Sequence, residues 1–569
     1  MNKYLLSIIC GATCAVGVAA ELGSFEEQVI AFNSDFKAYS TEVEPTPDGG
    51  MWALCYHPNL QNATSETDFN NVVYEYRLQY WDKDGNQKFP DGGMLVSDYN
   101  NISFTMVNNL LGVDNDGNAI VAISDCRNSV GEGISFTGYC ISPDGEFLWG
   151  EDGQPISDPL KPAATAAVMN QVVLDDGSIV FAWASYDDEG NSEVRLQRFS
   201  KEGKPQWDSD KVSLLDNQCS YPFLIPSDDN TCILVYAQSA SQIIYARKLD
   251  FEGSKVWGKD ARVYRGGWGS IPIHTLISVT PSGDGGALIA WTDDRYNTDY
   301  ECPYLSYITP DGKIGFENAS DEGDVKLDYE EYTRCFNVTA VPAADGSGFY
   351  ATWRVTNYGQ SMQGLKMQKI SRQGELLWED NGLTIEPLNY NQVSYISLQQ
   401  TGENESVLFY EKYLSYDSQV CYARRVDADG KAVWSDETIA LTAEGQRASG
   451  LISKAYPGNE KWLYYWKNEI PGTESSATTS RWMVGHLNAD GIYSKSELAN
   501  VAIDINDEPI CFDGTALYAN GKTATIVTPS GMVVSQKQLV DGCTNLDLDN
   551  GLYIINVDGK QTIKVSISK

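Results

Sequence analysis

A short polar phrase with a glycine, followed four residues later by an aromatic residue, recurs along most of the chain. Its fullest copy is Ser142-Pro143-Asp144-Gly145-Glu146-Phe147-Leu148-Trp149. The turn glycines stand at positions 85, 145, 203, 253, 312, 374, 430 and 491, so that 50 to 62 residues separate neighbouring copies. The aromatic residues are Phe89, Trp149, Trp207, Trp257, Phe316, Trp378 and Trp434, and Lys495 takes this place in the eighth copy. A period of this length predicts supersecondary units that pack against one another.

A second turn in each repeat stands before an apolar run. Asp176-Gly177 precedes residues 179–183, and Asp284-Gly285-Gly286 precedes residues 287–291. Asp-Gly between β-rich runs is a strong hairpin signal, and two hairpins per repeat give four strands, A to D. Four-stranded antiparallel units repeated radially predict a β-propeller. We therefore predict an all-β chain with one eight-bladed propeller over residues 21–497, or seven blades and an extra hairpin as the alternative.

The N-terminal part of the predicted propeller offers a way to close the ring. Residues 28–32 read as a strand D that has no blade of its own. An open ring would leave sheet edges unpaired. We expect these residues to complete the eighth blade beside residues 481–487.

The first twenty residues have the pattern of a secretory signal. Lys3 precedes an apolar run, and Val18-Ala19-Ala20 supplies small residues for cleavage before Glu21. Cys10 and Cys14 leave lipoprotein processing as an alternative. No later stretch is long and apolar enough to predict a transmembrane helix. The sequence therefore predicts export.

Charge and residue counts exclude several function classes. With 41 Lys and Arg against 78 Asp and Glu, the net charge is −37, which disfavours nucleic-acid partners. His57, His274 and His486 belong to different repeats and do not predict a zinc site. We predict no metal and no cofactor, although the turns at 82–86 and 114–118 leave calcium open. Among the scattered cysteines, Cys511 and Cys543 are the best candidates for a disulfide.

Two resemblances to known families follow from quoted residues. The turn phrase at 142–149 resembles the Asp box of sialidase-like propellers, although its glycine stands one place early and Leu148 replaces Thr. Residues 498–569 form a predicted small β-sandwich-like module that resembles the type IX secretion C-terminal sorting domain of exported Bacteroidetes proteins. The residues that carry this second likeness include Gly551, Tyr553, Gly559, Lys560 and Lys564. The resemblance implies recognition by the type IX secretion machinery, transport across the outer membrane, and an extracellular or cell-surface location; an ordinary β-sandwich cap is the alternative.

Candidate ligand-binding residues come from the connections that a four-strand meander places on one edge. The D–A and B–C loops of repeats four to six are longer than the turns and rich in aromatic residues and Arg. The candidates are Arg265, Trp268, Asp293, Arg295, Tyr296, Tyr332, Arg334, Arg354, Tyr358 and Tyr390. Such residues suit sugar stacking or a protein contact, whereas Asp293 and Arg295 could equally brace adjacent blades.

The sequence therefore predicts an exported, surface-displayed module that binds an extracellular glycan or protein. The first alternative is a glycan-active enzyme, either a sialidase-like hydrolase or a lyase, in which Arg265, Arg295, Arg334 and Arg354 would cluster. The second is a structural surface component. No catalytic residue can be assigned from the sequence.

Overall fold

The computed structural model describes residues 39–491 and parts of 511–567. The gaps in the first range are 60–72, 91, 100–108, 128–134, 158–168, 187–191, 209–218, 239–242, 265–276, 296–299, 417, 436, 443, 445–446 and 471–478. The later described segments are 511–512, 516–518, 523–528, 533–539, 543–546, 548, 551–557 and 561–567. The predicted signal peptide and the predicted closing strand at 28–32 lie outside the described residues. The chain divides into two compact units, with the boundary between residues 496 and 497.

Within the described part of 39–491, the strands form eight successive antiparallel units with a propeller-like all-β fold, in which no helix occurs. The first four units are β1 (Tyr39–Pro45), β2 (Met51–Asn59), β3 (Val73–Trp81) and β4 (Met94–Ser97); β5 (Asn109–Val113), β6 (Ala119–Asp125), β7 (Ser135–Ile141) and β8 (Gln154–Pro155); β9 (Met169–Val173), β10 (Ile179–Tyr186) and β11 (Ser192–Phe199); and β12 (Cys219–Pro226), β13 (Cys232–Gln238), β14 (Ile243–Leu249) and β15 (Ala261–Tyr264).

The last four units follow the same plan. They are β16 (Ser278–Pro281), β17 (Ala287–Asp293), β18 (Cys302–Ile308) and β19 (Val325–Lys326); β20 (Thr333–Pro342), β21 (Gly348–Asn357), β22 (Gln363–Ser371) and β23 (Leu383–Asn389); β24 (Val393–Gln400), β25 (Ser406–Ser415), β26 (Ser418–Val426) and β27 (Ile439–Ala440); and β28 (Arg447–Ala455), β29 (Lys461–Ile470) and β30 (Thr479–Asn488). One parallel pair, Gln419 with Arg447, joins the seventh and eighth units into one hydrogen-bonded sheet.

The second strand of each unit is covered on both faces, which explains its apolar run. In β17 every side chain is buried. Alternate residues point to opposite faces of a strand. Ala287, Ile289 and Trp291 accordingly pack in one hydrophobic cluster with the fourth unit, and Leu288 and Ala290 pack in another with the sixth. Stacking of neighbouring units therefore builds the core.

First strands of consecutive units lie beside one another through the whole series, and β28 of the eighth unit also contacts β1 of the first. A hydrophobic cluster joins these two units and contains Val43 and Cys55 together with Leu463 and Tyr465. Lys454 Nζ lies 2.5 Å from Glu44 Oε1 across the same joint. The first and last units are therefore packing partners.

The repeated glycine and aromatic residue meet between units, along what we call the turn edge, which the A–B and C–D turns form. The aromatic residue of each turn packs over the glycine of the next unit's turn. The indole Nε1 groups also donate to backbone oxygens of that next turn: Trp149 to Lys201 (2.8 Å), Trp207 to Phe251 (2.9 Å), Trp257 to Pro310 (2.9 Å), Trp378 to Ala428 (3.0 Å) and Trp434 to Ala489 (2.9 Å).

Glycine is required at these turns for two reasons. At Gly312 φ is +79°, a left-handed conformation that residues with a side chain adopt only at a cost. A Cβ at this position would lie 2.5 Å from the ring of Trp257. The sequence repeat thus reflects a contact between consecutive units. Within the described residues this contact occurs seven times, from Phe89 to Trp434.

The C-terminal unit contains two sheets around a small apolar cluster. One sheet is β31 (Cys511–Phe512), β32 (Ala516–Tyr518) and β35 (Cys543–Asn545); the other has the order β34 (Val533–Gln538), β33 (Thr523–Val527), β36 (Gly551–Val557) and β37 (Gln561–Ile567). Tyr553 is buried in the cluster, and Lys564 stands opposite Ile554 in the ladder. Gly559 and Lys560 lie outside the described residues. The assignment of a sorting domain stays a prediction.

The proposed disulfide between Cys511 and Cys543 is wrong. Tyr518 pairs with Cys511 on one side and with Cys543 on the other, so the two cysteines are separated by an intervening strand. Two strand spacings amount to about 9.5 Å, whereas bridged cysteines have Cα atoms about 4.4–6.8 Å apart.

Candidate functional site

Three tyrosine rings meet on the edge opposite the turns, which we call the loop edge. Tyr300 precedes β18, Tyr332 precedes β20, and Tyr358 follows β21, so each comes from a different connection of the fifth and sixth units. The ring of Tyr300 lies 6.0 Å from that of Tyr332 and 6.1 Å from that of Tyr358, edge to face in both pairs. We call Tyr300, Tyr332 and Tyr358 the tyrosine patch.

The patch is open to solvent. Tyr332 is 67% exposed and Tyr358 is 49% exposed, in a protein whose other large aromatic residues are mostly buried in the core. Exposed aromatic rings with a polar hydroxyl combine apolar contact area with hydrogen bonding, which suits a ligand that has both kinds of surface. The patch therefore lies on the protein surface and not in the core.

Tyr332 is held in an uncommon backbone conformation, with φ of +66°. A residue other than glycine in this region costs of order 1–3 kcal/mol and persists only where its surroundings fix it. Thr333 fixes it here, because its backbone N–H and its hydroxyl both donate to the Glu330 carbonyl, at 3.2 and 2.7 Å. The chain thus maintains a strained loop that presents Tyr332 to solvent.

Arg334 supports the patch from one side. Its guanidinium lies 4.7 Å from the ring centroid of Tyr358, and its Nη1 lies 3.1 Å from Glu301 Oε1. The side chains of Arg334 and Glu301 are mostly buried. An arginine held between a carboxylate and an aromatic face fixes the orientation of that ring.

A second ion pair anchors the loop that carries Tyr332. Lys366 Nζ is 3.1 Å from Asp328 Oδ2 and 3.2 Å from Glu330 Oε2, and the indole of Trp353 donates to the same Asp328 oxygen at 3.0 Å. Burial raises the pKa of Asp328, and the donation from Lys366 and Trp353 opposes that rise. The pair ties the D–A loop that carries Tyr332 to the strands of the sixth unit.

Asp293 and Arg295 lie in a different, interior arrangement. The Arg295 guanidinium bonds to Asp293, reaches Asp324 Oδ2 at 2.8 Å, and stacks 3.7 Å above the ring of Tyr304. Burial opposes the charge of Arg295, but the two carboxylates hold its pKa above the ordinary value. This geometry is mainly a brace within the fifth unit, whereas the sequence left open a brace between adjacent blades; toward the fourth unit the guanidinium lies 5.7 Å from the ring of Tyr264. A ligand role for these residues stays a prediction.

The remaining candidates are separated from the patch or undescribed. Arg354 stacks on Phe336 at 5.4 Å and approaches the carbonyl of Val393 in the seventh unit at 3.5 Å. Tyr390, in the connection from the sixth to the seventh unit, is 79% exposed. Arg265, Trp268 and Tyr296 lie outside the described residues. Of the sequence candidates, the structure brings together Tyr332, Arg334 and Tyr358.

Sequence reasoning missed Tyr300 and Glu301. Both stand immediately before β18, at the end of a B–C connection, and this position already placed them on the loop edge. They were overlooked because the aromatic and charged cluster at 293–296 lies in the same connection. Pairing each loop-edge arginine with the nearest loop-edge carboxylate in the neighbouring repeat would have selected Glu301.

The other polar candidates serve local structure. Asp82 Oδ1 accepts the backbone N–H groups of Asp84 and Asn86, and Asp114 Oδ1 accepts those of Asp116 and Asn118, as hairpin turns do. His57 lies 3.4 Å from Glu75, and burial lowers its pKa to about 4.

Within the described ranges no three acidic, histidine or cysteine side chains are grouped to hold a metal ion. No helix among these residues has the length and apolar character needed to span a membrane.

The sequence matches no known family profile and no curated protein. Solved structures give only weak likenesses. The polysaccharide lyase Uly1 aligns over 80% of this chain and 89% of its own, with 12% identity and a TM-score of 0.38. A protein of unknown function from Dyadobacter fermentans aligns over 59% and 95%, with 13% identity and a TM-score of 0.33. A thermostable family-43 glycoside hydrolase aligns over 50% and 94%, with 9% identity and a TM-score of 0.26. Likenesses of this strength assign no residue a role.

Proposed function

We propose that the protein is an exported propeller that binds a glycan through the tyrosine patch. The observation that carries this proposal is the group of three tyrosine rings from three separate loops. Tyr332 and Tyr358 are exposed, and the backbone of Tyr332 is also strained. Sugar rings have apolar faces that stack on aromatic residues and hydroxyl groups that pair with phenols and backbone groups. The rigid setting of the patch lowers the cost of ordering it on binding.

We also propose that the eight units form one closed, eight-bladed ring. Contacts between first strands follow one another from β1 to β28 and return to β1, and the cluster containing Val43 and Leu463 fills the last joint. The eighth copy of the turn motif has Lys495 in place of the aromatic residue, so this joint needs another closing element. Residues 28–32, as strand D of the eighth blade, would supply it.

Export and display complete the proposal. Residues 1–20 would direct secretion, and residues 498–569 would address the chain to the type IX machinery and the cell surface. Removing residues 498–569 should leave a folded propeller that stays in the periplasm, which fractionation of cells followed by immunoblotting detects. Arrival of the truncated chain at the surface would contradict the address.

The binding proposal is tested with a glycan array probed by residues 21–497 and by the variant Tyr332→Ala/Tyr358→Ala. The double variant should lose binding by about tenfold or more, because each stacked ring contributes on the order of 1 kcal/mol. Phe251→Ala is the matched control: Phe251 is a 54% exposed ring stacked 3.9 Å from the Arg198 guanidinium, on the turn edge.

Three outcomes separate the function classes. Equal binding by the double variant and the wild type would contradict the patch as the site. Selective loss of a captured protein ligand in place of a glycan would favour a protein-binding module. Turnover of chromogenic glycosides or release of unsaturated products in the same samples would favour the enzyme.

A further inference from the structure

We infer that the tyrosine patch takes uncharged glycans, and that Arg334 is a positioning residue that holds Tyr358 and does not bind an anionic sugar. This inference rests on the proposed function and specifies its ligand. It follows from how the charged groups around the patch are arranged.

Arg334 is already ion-paired within the protein. Glu301 takes one end of the guanidinium at 3.1 Å, and its plane lies over the ring of Tyr358 at 4.7 Å. A sugar carboxylate that captured Arg334 would have to draw its guanidinium away from Glu301, whose side chain is only 10% exposed. Weakening a largely buried ion pair is unfavourable.

Two lysines lie on the elements that carry the patch. Lys366 is paired with Asp328 and Glu330, and its side chain is 10% exposed. Lys326 is exposed, with its ammonium 4.5 Å from the ring centroid of Tyr329, and is the one exposed lysine among the described residues of this loop.

Carboxylates dominate the rim of the patch. The side chain of Glu330 is 51% exposed, and Glu331, the neighbour of Tyr332 in the chain, is exposed too. Glu301 and Asp328 are buried and paired with Arg334 and Lys366. The exposed charges described at the rim are therefore Glu330 and Glu331 against Lys326, in a chain of net charge −37. An anionic sugar would meet like charges at the rim, whereas an uncharged sugar would keep the stacking and hydrogen bonding.

The test uses matched hexasaccharide pairs: a glucan, a mannan and a galactan, each beside its C6-carboxylate form, titrated calorimetrically against residues 21–497. We expect at least one neutral member to bind about tenfold or more tighter than its uronate. Uronates that bind as tightly as the neutral sugars, or tighter, would overturn this inference while leaving glycan binding intact. Absence of binding to every member would instead contradict the proposed function.

Charge-neutral variants separate positioning from binding. Glu301→Gln removes the negative charge beside Arg334 but keeps a side-chain oxygen that can accept from its Nη1. Uronate affinity should therefore rise about three- to tenfold while neutral affinity stays within about twofold. Arg334→Gln should weaken neutral binding about threefold or more through loss of Tyr358 orientation, and Arg334→Lys should restore it only in part. Glu331→Gln, at an exposed position that does not threaten folding, should raise uronate affinity about twofold. Loss of uronate binding alone in Arg334→Gln would make Arg334 a ligand contact and end the inference.

Discussion

The two edges of the same stacked units are built on different principles. Along the turn edge one contact, an aromatic ring over the glycine of the next turn, is repeated from unit to unit, and its polar groups pair with backbone oxygens. Along the loop edge the described residues show no contact carried from each unit to the next: the patch of Tyr300, Tyr332 and Tyr358 occurs once among them. A brace like that of Asp293 and Arg295 recurs there only within single units, as Asp125 with Arg127. The turn edge fixes how units stack, and the loop edge is free to carry recognition.

The difference teaches where sequence variation is tolerated. A turn-edge aromatic residue serves two units at once, so its replacement disturbs a joint. A loop-edge tyrosine is largely solvated and contributes little to stacking, so its replacement disturbs only what binds there. Stability and binding should therefore separate between the edges.

The largest effect is expected from Trp257→Ala on the turn edge. Trp257 is 6% exposed, covers Gly312 and donates to Pro310 O. Its removal should lower the free energy of unfolding by about 3–5 kcal/mol, through lost burial and a cavity between the fourth and fifth units. Trp257→Phe should cost about 1 kcal/mol, because the Pro310 carbonyl loses its indole donor and keeps only Lys248 Nζ at 3.5 Å. Urea unfolding measures both; a loss below about 1 kcal/mol in the alanine variant would contradict the role of the contact.

The next largest effect is a pH dependence of stability that comes from the contact between the seventh and eighth units. Glu411 of β25 is fully buried and accepts the backbone N–H of Leu451 in the eighth unit at 2.6 Å, and burial raises its pKa from 4.5 to about 7 despite the donors around it. The folded state then holds a proton that the unfolded state releases, so this group's stabilisation is complete below pH 4.5 and is lost as the pH rises through 7.

Glu411→Gln should remove this part of the pH dependence, on the order of 1–3 kcal/mol between pH 5 and pH 8. Burial also raises the pKa of Glu42 to about 7, so the variant keeps a smaller dependence of stability on pH. Urea midpoints at the two pH values measure the change, with the exposed Glu146→Gln as control. An unchanged slope in Glu411→Gln would show that the carboxyl does not titrate in this window.

Two glycines allow the cost of overlap with the tryptophan ring to be measured separately from the cost of the backbone conformation. Gly312 and Gly117 have nearly the same φ, +79° and +82°, but a Cβ at Gly312 would lie 2.5 Å from Trp257, whereas one at Gly117 has nothing within 4 Å. Gly117→Ala should cost about 1 kcal/mol for the left-handed conformation, and Gly312→Ala about 1–3 kcal/mol more for the overlap. Equal thermal shifts in the two variants would mean that Trp257 yields without cost.

The smallest effect on stability is expected on the loop edge. Tyr332→Ala should change the free energy of unfolding by less than about 0.5 kcal/mol, since the side chain is 67% exposed. Its binding defect, in contrast, should be among the largest of the single loop-edge variants. A loss of several degrees in melting temperature would place Tyr332 among the structural residues and remove the contrast between the edges.

The stacked four-stranded units could be predicted because their signals are local and repeated. An Asp-Gly turn followed by an aromatic residue at a fixed distance predicts a hairpin wherever it occurs. The turn phrase at 142–149 is the fullest copy of this repeat. The partner of each aromatic residue could not be read, because it lies one repeat further on. Tyr332, Arg334 and Tyr358 were predicted to share an edge from strand order alone.

The rest of the site depended on details that periodicity does not encode. Asp293 and Arg295 look like ligand residues in the sequence, yet they form an ion pair inside the fifth unit, because their position at the end of β17 turns them toward Tyr304. Glu301 was missed because its importance comes only from Arg334 in the following unit. What could not be predicted from the sequence is which residues of one repeat contact which residues of the next.

The most direct test of the division between the edges is hydroxyl-radical footprinting of residues 21–497 with and without a saturating neutral glycan that the array identifies. The account predicts that oxidation of Tyr300, Tyr332 and Tyr358 falls on binding, while that of the exposed turn-edge residues Leu148, Phe251 and Val256 stays unchanged. Protection of the turn-edge residues, with the three tyrosines oxidised as before, would contradict it.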